Sequence, residues 1–523
     1  MTTTTDPCSP DTTPDIVPID TSARRFRANV LANLVYFVFN AGLQLWFTRY
    51  LIDNLGVATY GLVPLATNMT NYMAILTVAL SGSVGRFLTI DLARGDVETA
   101  NKTFNTSLFA TIALAMALMP VVGALSWFSP HILNIPEGEE NGTRFLLLCT
   151  GFAFLLNTVG SNFACSTFAK NRFDYQCAVN VLGQVVQVGV AVGLFSVLGA
   201  KLWQVGIGIA AMSVMRQAGY QITWRKLTPE LRIRPRSFDR TRLREVLGMG
   251  GWLTVNQAGA VLFLQVDLLV ANTVVGAEAA GLYAPVLQMS SVLRALATVV
   301  SSVFTPVVLA AYARADPDFV AHMTNRASKL LGLALAIPTG LACGLSQPLL
   351  VAWLGVRFES VSILVWLLVG PLALTFCVRP VSAVNIALNK VMYPGLVQIG
   401  LGAVNLGLSI WLAGPMGWGL VGVAAGSTLT LIAKNSVFMP LYGAAVLGRP
   451  WHTFLNAMLA PLAATAILAG AAWGIANAIG LASLPAIACV ATLATVVYVP
   501  LAYRLVLNAA ERSMMRRLVG YRS

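Results

Sequence analysis

Five basic residues stand inside long apolar stretches of this chain: Arg86, Arg216, Arg294, Arg379 and Lys434. An ionisable group in hydrocarbon is costly, and it is kept where it faces a cavity or a partner charge. Asp267 is the one carboxylate comparably placed. Five cations against one acid leave a positive excess that attracts anions and repels hydrophobic cations. Guanidinium forks match phosphate oxygens, so the chemistry expected of the set is capture of an anionic group such as a phosphate or an acidic sugar. The five are not equivalent. Arg86 lies near the end of its stretch and could snorkel to polar headgroups, as could Arg216. Arg294 lies too deep for that, and its rival role is a structural ion pair with Asp267. Arg379 and Lys434 stand open between cavity lining and packing. Asp267 could carry a coupling proton or sodium ion, or be a carboxylate solvated from the outer side.

Amides accompany these charges. Asn40 and Gln44 are four residues apart, which puts both on one helix face. Asn256, Gln257 and Gln265 fall in a second stretch, and Gln184 and Gln187 in a third. Such amides either bond between helices or face a polar ligand. Asn40, Gln44, Asn256 and Gln257 are the expected polar lining. Metal and nucleophile chemistry has no comparable support. The seven cysteines (Cys8, Cys149, Cys165, Cys177, Cys343, Cys377, Cys489) form no CxxC, and His131, His322 and His452 all avoid the middle of apolar runs. Neither a metal site nor a catalytic triad is expected, and no cofactor beyond a coupling proton or sodium ion.

The elements that must position these residues follow from composition. Of 523 residues, 57% are hydrophobic and 11% charged, with mean hydropathy +0.73. Soluble chains carry about 25% charged residues, so a soluble enzyme or nucleic-acid binder is excluded. A helix crosses a bilayer with about 20 apolar residues. Fourteen such stretches can be read: 28–51, 59–86, 104–128, 144–168, 176–199, 203–223, 247–272, 280–309, 328–353, 361–386, 392–413, 418–445, 454–477 and 482–507. With a cytoplasmic N-terminus, 25 of the 34 Lys and Arg residues fall inside, four (Arg49, Arg144, Lys201, Arg357) outside and five within spans. This positive-inside bias places both termini in the cytoplasm. It also accounts for most of the net charge of +13 without a polyanionic partner. Residues 1–22, rich in Thr, Asp and Pro, lack the basic start and apolar run of a signal peptide and read as a disordered tail. The longest inside loop, 224–246, carries Arg225, Lys226, Arg232, Arg234, Arg236, Arg240, Arg242 and Arg244. It is a topogenic loop against anionic headgroups or a docking point for a regulator.

The two halves repeat. At an offset of 220, Gly56 matches Gly276, Gly61 matches Gly281, Leu62 matches Leu282, and Ala93-Arg94-Gly95-Asp96 matches Ala313-Arg314-Ala315-Asp316. At 218, Asn171 matches Asn389, Tyr175 matches Tyr393, Gly199 matches Gly417, Gly208 matches Gly426, and Arg216 matches the basic Lys434. The expected organisation is a tail (1–23), a six-helix bundle (24–223), a basic linker (224–246), a second six-helix bundle (247–445), an appended pair (446–507) and a basic tail (508–523). Spans 1–6 and 7–12 enter the membrane in the same sense. This is a parallel repeat with a central cavity, as transporters use.

The six-six-two pattern resembles the polysaccharide or O-antigen flippases of the multidrug/oligosaccharidyl-lipid/polysaccharide exporter superfamily. The similarity rests on Leu55-Gly56-Val57-Ala58-Thr59-Tyr60-Gly61-Leu62, Ala93-Arg94-Gly95-Asp96, and Ala169-Lys170-Asn171-Arg172-Phe173-Asp174-Tyr175, and covers about residues 24–507. It implies an all-α pair of six-helix bundles in the bacterial inner membrane, with no enzymatic activity. By alternating access, they would move an undecaprenyl-pyrophosphate-linked oligosaccharide for capsule, exopolysaccharide or O-antigen export. The implied partners are that anionic lipid-linked oligosaccharide, membrane lipids, a polysaccharide polymerase and export proteins, and no nucleic acid. Alternatives are a multidrug or cation antiporter of the same superfamily, which favours cavity carboxylates, and a peptidoglycan-precursor flippase. A membrane glycosyltransferase needs positioned acid and base groups, and the short outer loops, the longest about 129–143, offer little room for them.

Overall fold

The computed structural model describes residues 23–312, 317–388, 390–481, 483–509 and 511–512. The tail 1–22, the Ala313-Arg314-Ala315-Asp316 match, Asn389 and residues 513–523 of the basic tail lie outside the described residues.

All regular structure among the described residues is helical. Apolar runs of this length have no water to satisfy their backbone in a bilayer, and a helix satisfies it within the segment. Eleven helices are long and apolar enough to cross a membrane, or twelve when Thr254–Leu264 and Val266–Val275, which meet at 42°, count as one bent span. The chain is therefore a multi-pass membrane protein. Two of the fourteen stretches expected from sequence are helical but miss that measure. The second is split into α2 (Val57–Asn71) and α3 (Ala74–Ala93), and the sixth, α7 (Leu202–Leu227), carries Arg216, Arg225 and Lys226.

In the first half, α1 (Ala23–Leu55), α2 and α3 precede α4 (Val97–Ile132), α5 (Glu140–Ala169), α6 (Phe173–Leu198) and α7. In the second half, α8 (Arg240–Leu264), α9 (Val266–Val270) and a π-helical turn (Ala271–Val275) form one bent element. Then come α10 (Ala277–Tyr312), α11 (Pro317–Gly344) with α12 (Ser346–Leu354), α13 (Ser362–Val369) with α14 (Leu372–Ala387), and α15 (Met392–Ala413). α16 (Gly419–Ile432) and α17 (Met439–Val446) complete the half, and α18 (Thr453–Ile479) and α19 (Leu484–Leu501) follow.

The repeat is visible in the backbone. Gly56 (φ 80°) and Gly276 (φ 135°) stand immediately before α2 and α10, and Gly199 (φ 72°) and Gly417 (φ 70°) have nearly the same φ. The repeat-related Gly61 and Gly281 meet where α2 crosses α10. A Cβ on Gly61 would lie 2.7 Å from the Gly281 nitrogen, and one on Gly281 would strike the Val57 carbonyl. The halves thus touch backbone to backbone, and one apolar core runs across the crossing through Leu62, Leu65, Tyr283 and Val286. The second half begins earlier than its apolar stretch. α8 is helical from Arg240, and Val246, with Leu243 beside it, packs on Leu80 and Val84 of α3 in the first half.

Candidate functional site

A cavity of about 560 Å³ lies between the halves. Gln44 and Thr48 of α1, Asn68 and Asn71 of α2, Gln184 and Gln187 of α6 and Arg216 of α7 line it from the first half. Gln265, at the break between α8 and α9, and Gln288 and Arg294 of α10 line it from the second. Among the described residues the wall holds two arginines and no carboxylate. Several lining groups fix one another: Thr48 Oγ1 donates to Gln288 Oε1 at 2.7 Å across the halves, and Tyr72 OH donates to the Gln265 carbonyl at 3.1 Å.

The two arginines keep capacity to spare. Arg216 lies over Gly183, whose absent side chain makes room for its stem, since a Cβ there would stand 2.7 Å from Arg216 Cγ. Its Nη2 reaches Gln184 Oε1 at a long 3.4 Å, and its buried Nε has no partner. Among the described residues no hydrogen bond or ion pair engages the Arg294 guanidinium. A desolvated guanidinium without its acceptors is a ready anion receptor.

Cross-half contacts lie on either side of the cavity. On one side, Asn134 in the loop after α4 and Asn272 in the π-helical turn bond reciprocally. Asn134 N donates to Asn272 Oδ1 (2.9 Å), Asn134 Nδ2 to the Asn272 carbonyl (2.6 Å), and Asn272 Nδ2 to the Asn134 carbonyl (3.0 Å). On the other, Arg242 at the start of α8 reaches Asp91 of α3 at 3.4 Å, and Thr103 donates to the same carboxylate at 2.8 Å.

Asp267 is neither solvated from the outer side nor ion-paired to Arg294. It is only 3% exposed, and neutral groups hold it. Ser427 Oγ lies 2.6 Å from both carboxylate oxygens, Asn405 Nδ2 donates at 3.1 Å and Tyr283 OH at 3.3 Å. Ser409 donates to Asn405 Oδ1 at 3.3 Å. Beside this cluster lies a chamber of about 30 Å³, bounded by Asp267, Ser290, Ser427 and Arg294. Arg294 therefore stands in the walls of both spaces.

The structure brings Gln44, Arg216 and Arg294 to one cavity and distributes the other expected residues elsewhere. Lys434 donates to Gln398 Oε1 of α15 at 2.8 Å, with its ammonium 5.3 Å from the Phe263 ring centre. Arg379 clasps α10, donating to Thr298 Oγ1 (3.1 Å) and to the Arg294 carbonyl (3.4 Å). Arg86 is exposed on α3. Asn40 is half-buried one turn before Gln44, whose Nε2 lies 3.5 Å from its Oδ1. Asn256 faces α15 at Gly395, where a Cβ would meet its amide at 3.2 Å. Gln257 is half-buried outside the cavity wall. Sequence reasoning missed the partners of Asp267 and the lining groups Thr48, Asn68, Asn71 and Gln288.

Comparison with known proteins adds three findings. The sequence profile of the family described as "Polysaccharide biosynthesis protein" matches residues 26–310. The uncharacterized membrane protein EpsK of Bacillus subtilis (strain 168) is 31% identical over 495 residues, covering 94% of this chain and 97% of that one. Among solved structures, a multidrug resistance MATE family transporter of the MOP superfamily, inward-facing, superposes with a TM-score of 0.62 at 16% identity, over 80% of this chain and 98% of that one. The lipid II flippase MurJ, in an inward closed conformation, gives 0.60 at 13% identity over 91% and 99%. The fold is of that transporter type.

Proposed function

The chain belongs to the polysaccharide biosynthesis protein family, and from that premise we propose that it is a flippase carrying an undecaprenyl-pyrophosphate-linked oligosaccharide across the bacterial cytoplasmic membrane. The observation that carries this reading is the cavity between the halves, which offers Arg216 and Arg294, a set of amides and no carboxylate. Arginines suit a pyrophosphate, and amides suit sugar hydroxyls, while the lipid tail stays in the bilayer. The fourteen spans, with both termini cytoplasmic, would rock as two bundles about the Gly61–Gly281 crossing. The Asn134–Asn272 and Arg242–Asp91 contacts are the natural outer and inner closures of such a cycle. Arg379, Lys434 and Arg86 are assigned to the route of the anion outside the cavity, and Asn40, Asn256 and Gln257 to its polar margin. Asp267 is assigned to the coupling proton or sodium ion. A polymerase and export proteins would receive the product.

The experiment is flipping in proteoliposomes, offering fluorescent undecaprenyl-pyrophosphate oligosaccharide and, separately, a lipophilic cationic dye. The expected result is protein-dependent flipping of the lipid-linked sugar alone, abolished in a folded Arg294→Glu variant. Unchanged flipping by that variant would sink the arginine assignment. The likeness to MATE transporters supports a second reading, a drug or cation antiporter. Export of the dye alone would establish it, and the cation-bearing, carboxylate-free wall argues against it. Preference for a lipid-linked peptidoglycan precursor over the oligosaccharide would favour the third.

A further inference from the structure

The basic linker does not hang as a free loop. Between α7 and α8 it is held along the first turns of α4 by side chains that bond only its backbone. Asn101 Nδ2 donates to the Glu230 carbonyl (3.1 Å), and Asn101 Oδ1 accepts from Arg232 N (2.8 Å). One turn on, Asn105 Nδ2 donates to the Arg232 carbonyl (2.8 Å), and Asn105 Oδ1 accepts from Arg234 N (2.7 Å). Thr106 Oγ1 then accepts from Asp239 N (2.9 Å). The register has a simple cause: four helical residues rise about 6 Å, and two residues of extended chain advance about 6.6 Å. Asparagines at this spacing therefore act as the neighbouring strand of a ladder. Leu231 is the buried peg, packed with Phe104 and Trp224.

Fixing the backbone in this way leaves the side chains free. Arg232, Arg234, Arg236 and Arg240 are all exposed, and no hydrogen bond or ion pair engages their side chains among the described residues. The strap's own carboxylates are occupied elsewhere. Glu230 pairs with Lys170 at 3.2 Å. Asp239 caps α8 through Thr241 N at 2.7 Å, a bond that holds its carboxyl below the usual carboxylate range. Between the arginines, Ile233 and Phe238 are 49% and 40% exposed. The strap lies beside Asn105, where the apolar stretch of α4 begins, and none of its residues lines the central cavity.

Cationic residues interleaved with exposed apolar ones, at the edge of a bilayer-spanning stretch, match an interface of phosphates above acyl chains. We propose that the strap 230–240 is a preformed dock for the anionic phospholipid headgroups of the cytoplasmic leaflet. The cytoplasmic side of this assignment rests on the orientation read above, whereas binding itself does not.

The test uses the purified full-length chain in detergent, with retained lipid counted by native mass spectrometry against added phosphatidylglycerol or phosphatidylcholine. Wild type should retain phosphatidylglycerol in preference. R232Q/R234Q/R236Q/R240Q, which keeps every backbone bond of the ladder, should weaken that retention at least about tenfold, since each basic residue near an anionic surface contributes about fivefold. N101A/N105A keeps all four arginines but frees the strap, and should weaken retention by a smaller factor, about threefold. Equal retention of the two lipids by wild type, or undiminished phosphatidylglycerol on the folded quadruple variant, would overturn the proposal. So would displacement of the lipid by millimolar inorganic phosphate, which would assign the arginines to a free anion. Should the quadruple variant not fold, a bimane on Ser237→Cys, with all four arginines kept and the seven native cysteines replaced, decides: its emission should shift between phosphatidylglycerol and phosphatidylcholine nanodiscs, and an identical spectrum refutes the dock. Labelling of the same cysteine from the two sides of sealed vesicles reports orientation separately.

Discussion

Gly281→Ala tests the joint between the halves. Alanine should favour the helix over glycine by about 1 kcal/mol at an unconstrained position. At Gly281 the added methyl strikes the Val57 carbonyl oxygen and would lie 2.7 Å from Val57 carbonyl carbon. Those are backbone atoms, which cannot rotate aside, so α2 and α10 must separate. Overpacking of this kind costs about 1–3 kcal/mol. α10 stays helical whether the crossing is closed or parted, so the propensity gain cancels and the full cost of about 1–3 kcal/mol falls on the closed crossing, roughly a 5- to 150-fold shift toward its separation. Maleimide labelling of Ala58→Cys, in a background with the seven native cysteines replaced, reads that shift. Ala58 lines a recess of about 530 Å³ shared by Asn134, Ala277 and Glu278, so it reports on both halves. Labelling should accelerate by that factor, with a lower Tm. Gly248→Ala is the control, because a Cβ there meets nothing within 4 Å and stability should hold or rise. If Gly281→Ala matches its parent in both labelling and Tm, the crossing is not the tight joint argued here.

Two further predictions follow from the polar contacts. Asn272→Ala removes two side-chain bonds to Asn134; at about 1 kcal/mol each, it should raise Ala58→Cys labelling roughly 30-fold. Asn134→Ala removes the reciprocal bond to the Asn272 carbonyl and should raise the same labelling about fivefold, and unchanged labelling in both variants would refute the latch. Ser427→Ala leaves the buried Asp267 without its shortest partner and should cost about 1–3 kcal/mol of stability by thermal unfolding in detergent, while an unchanged Tm would mean the cluster is not structural.

Legibility in the sequence depended on whether a residue's surroundings repeat or are local. Apolar run length predicts helix because the bilayer permits little else. The offsets predict Gly56 with Gly276 and Gly61 with Gly281, and backbone geometry bears them out. Arg216 and Arg294 could be singled out because a deep cation needs a polar surrounding, and one cavity takes both. Depth does not tell a cavity from a neighbouring helix, however. Lys434 turns to Gln398 and Arg379 to Thr298, and which neighbour faces a helix is fixed by crossing geometry. Ser427, Asn405 and Tyr283 were hidden for a related reason. Hydroxyls and amides are ordinary in membrane helices, and these three come from three different segments. The strap had a readable signal, Asn101 and Asn105 one turn apart beside a basic loop, but its meaning needed the loop's register.

The repeat, carried inward, separates the two spaces by role. At offsets of 220 and 218, Asp267, Tyr283, Asn405 and Ser427 correspond to Phe47, Val63, Gln187 and Ile209. All four of these line the 560 Å³ cavity. The same place in the two halves has thus been built in two ways. In the first half it remains open, walled by apolar groups and an amide, and a ligand of many atoms fits. In the second half a carboxylate, two hydroxyls and an amide close over it, leaving about 30 Å³, room on the order of one or two waters. A sugar headgroup cannot use the second space, and a small cation or proton gains nothing from the first, which has no acid. Arg294 lines both. Occupancy of the chamber by positive charge would repel it, whereas an anion in the cavity would draw it the other way. The proposed coupling between ion and lipid-linked sugar therefore needs no long pathway, only the choice of one guanidinium between two adjoining walls.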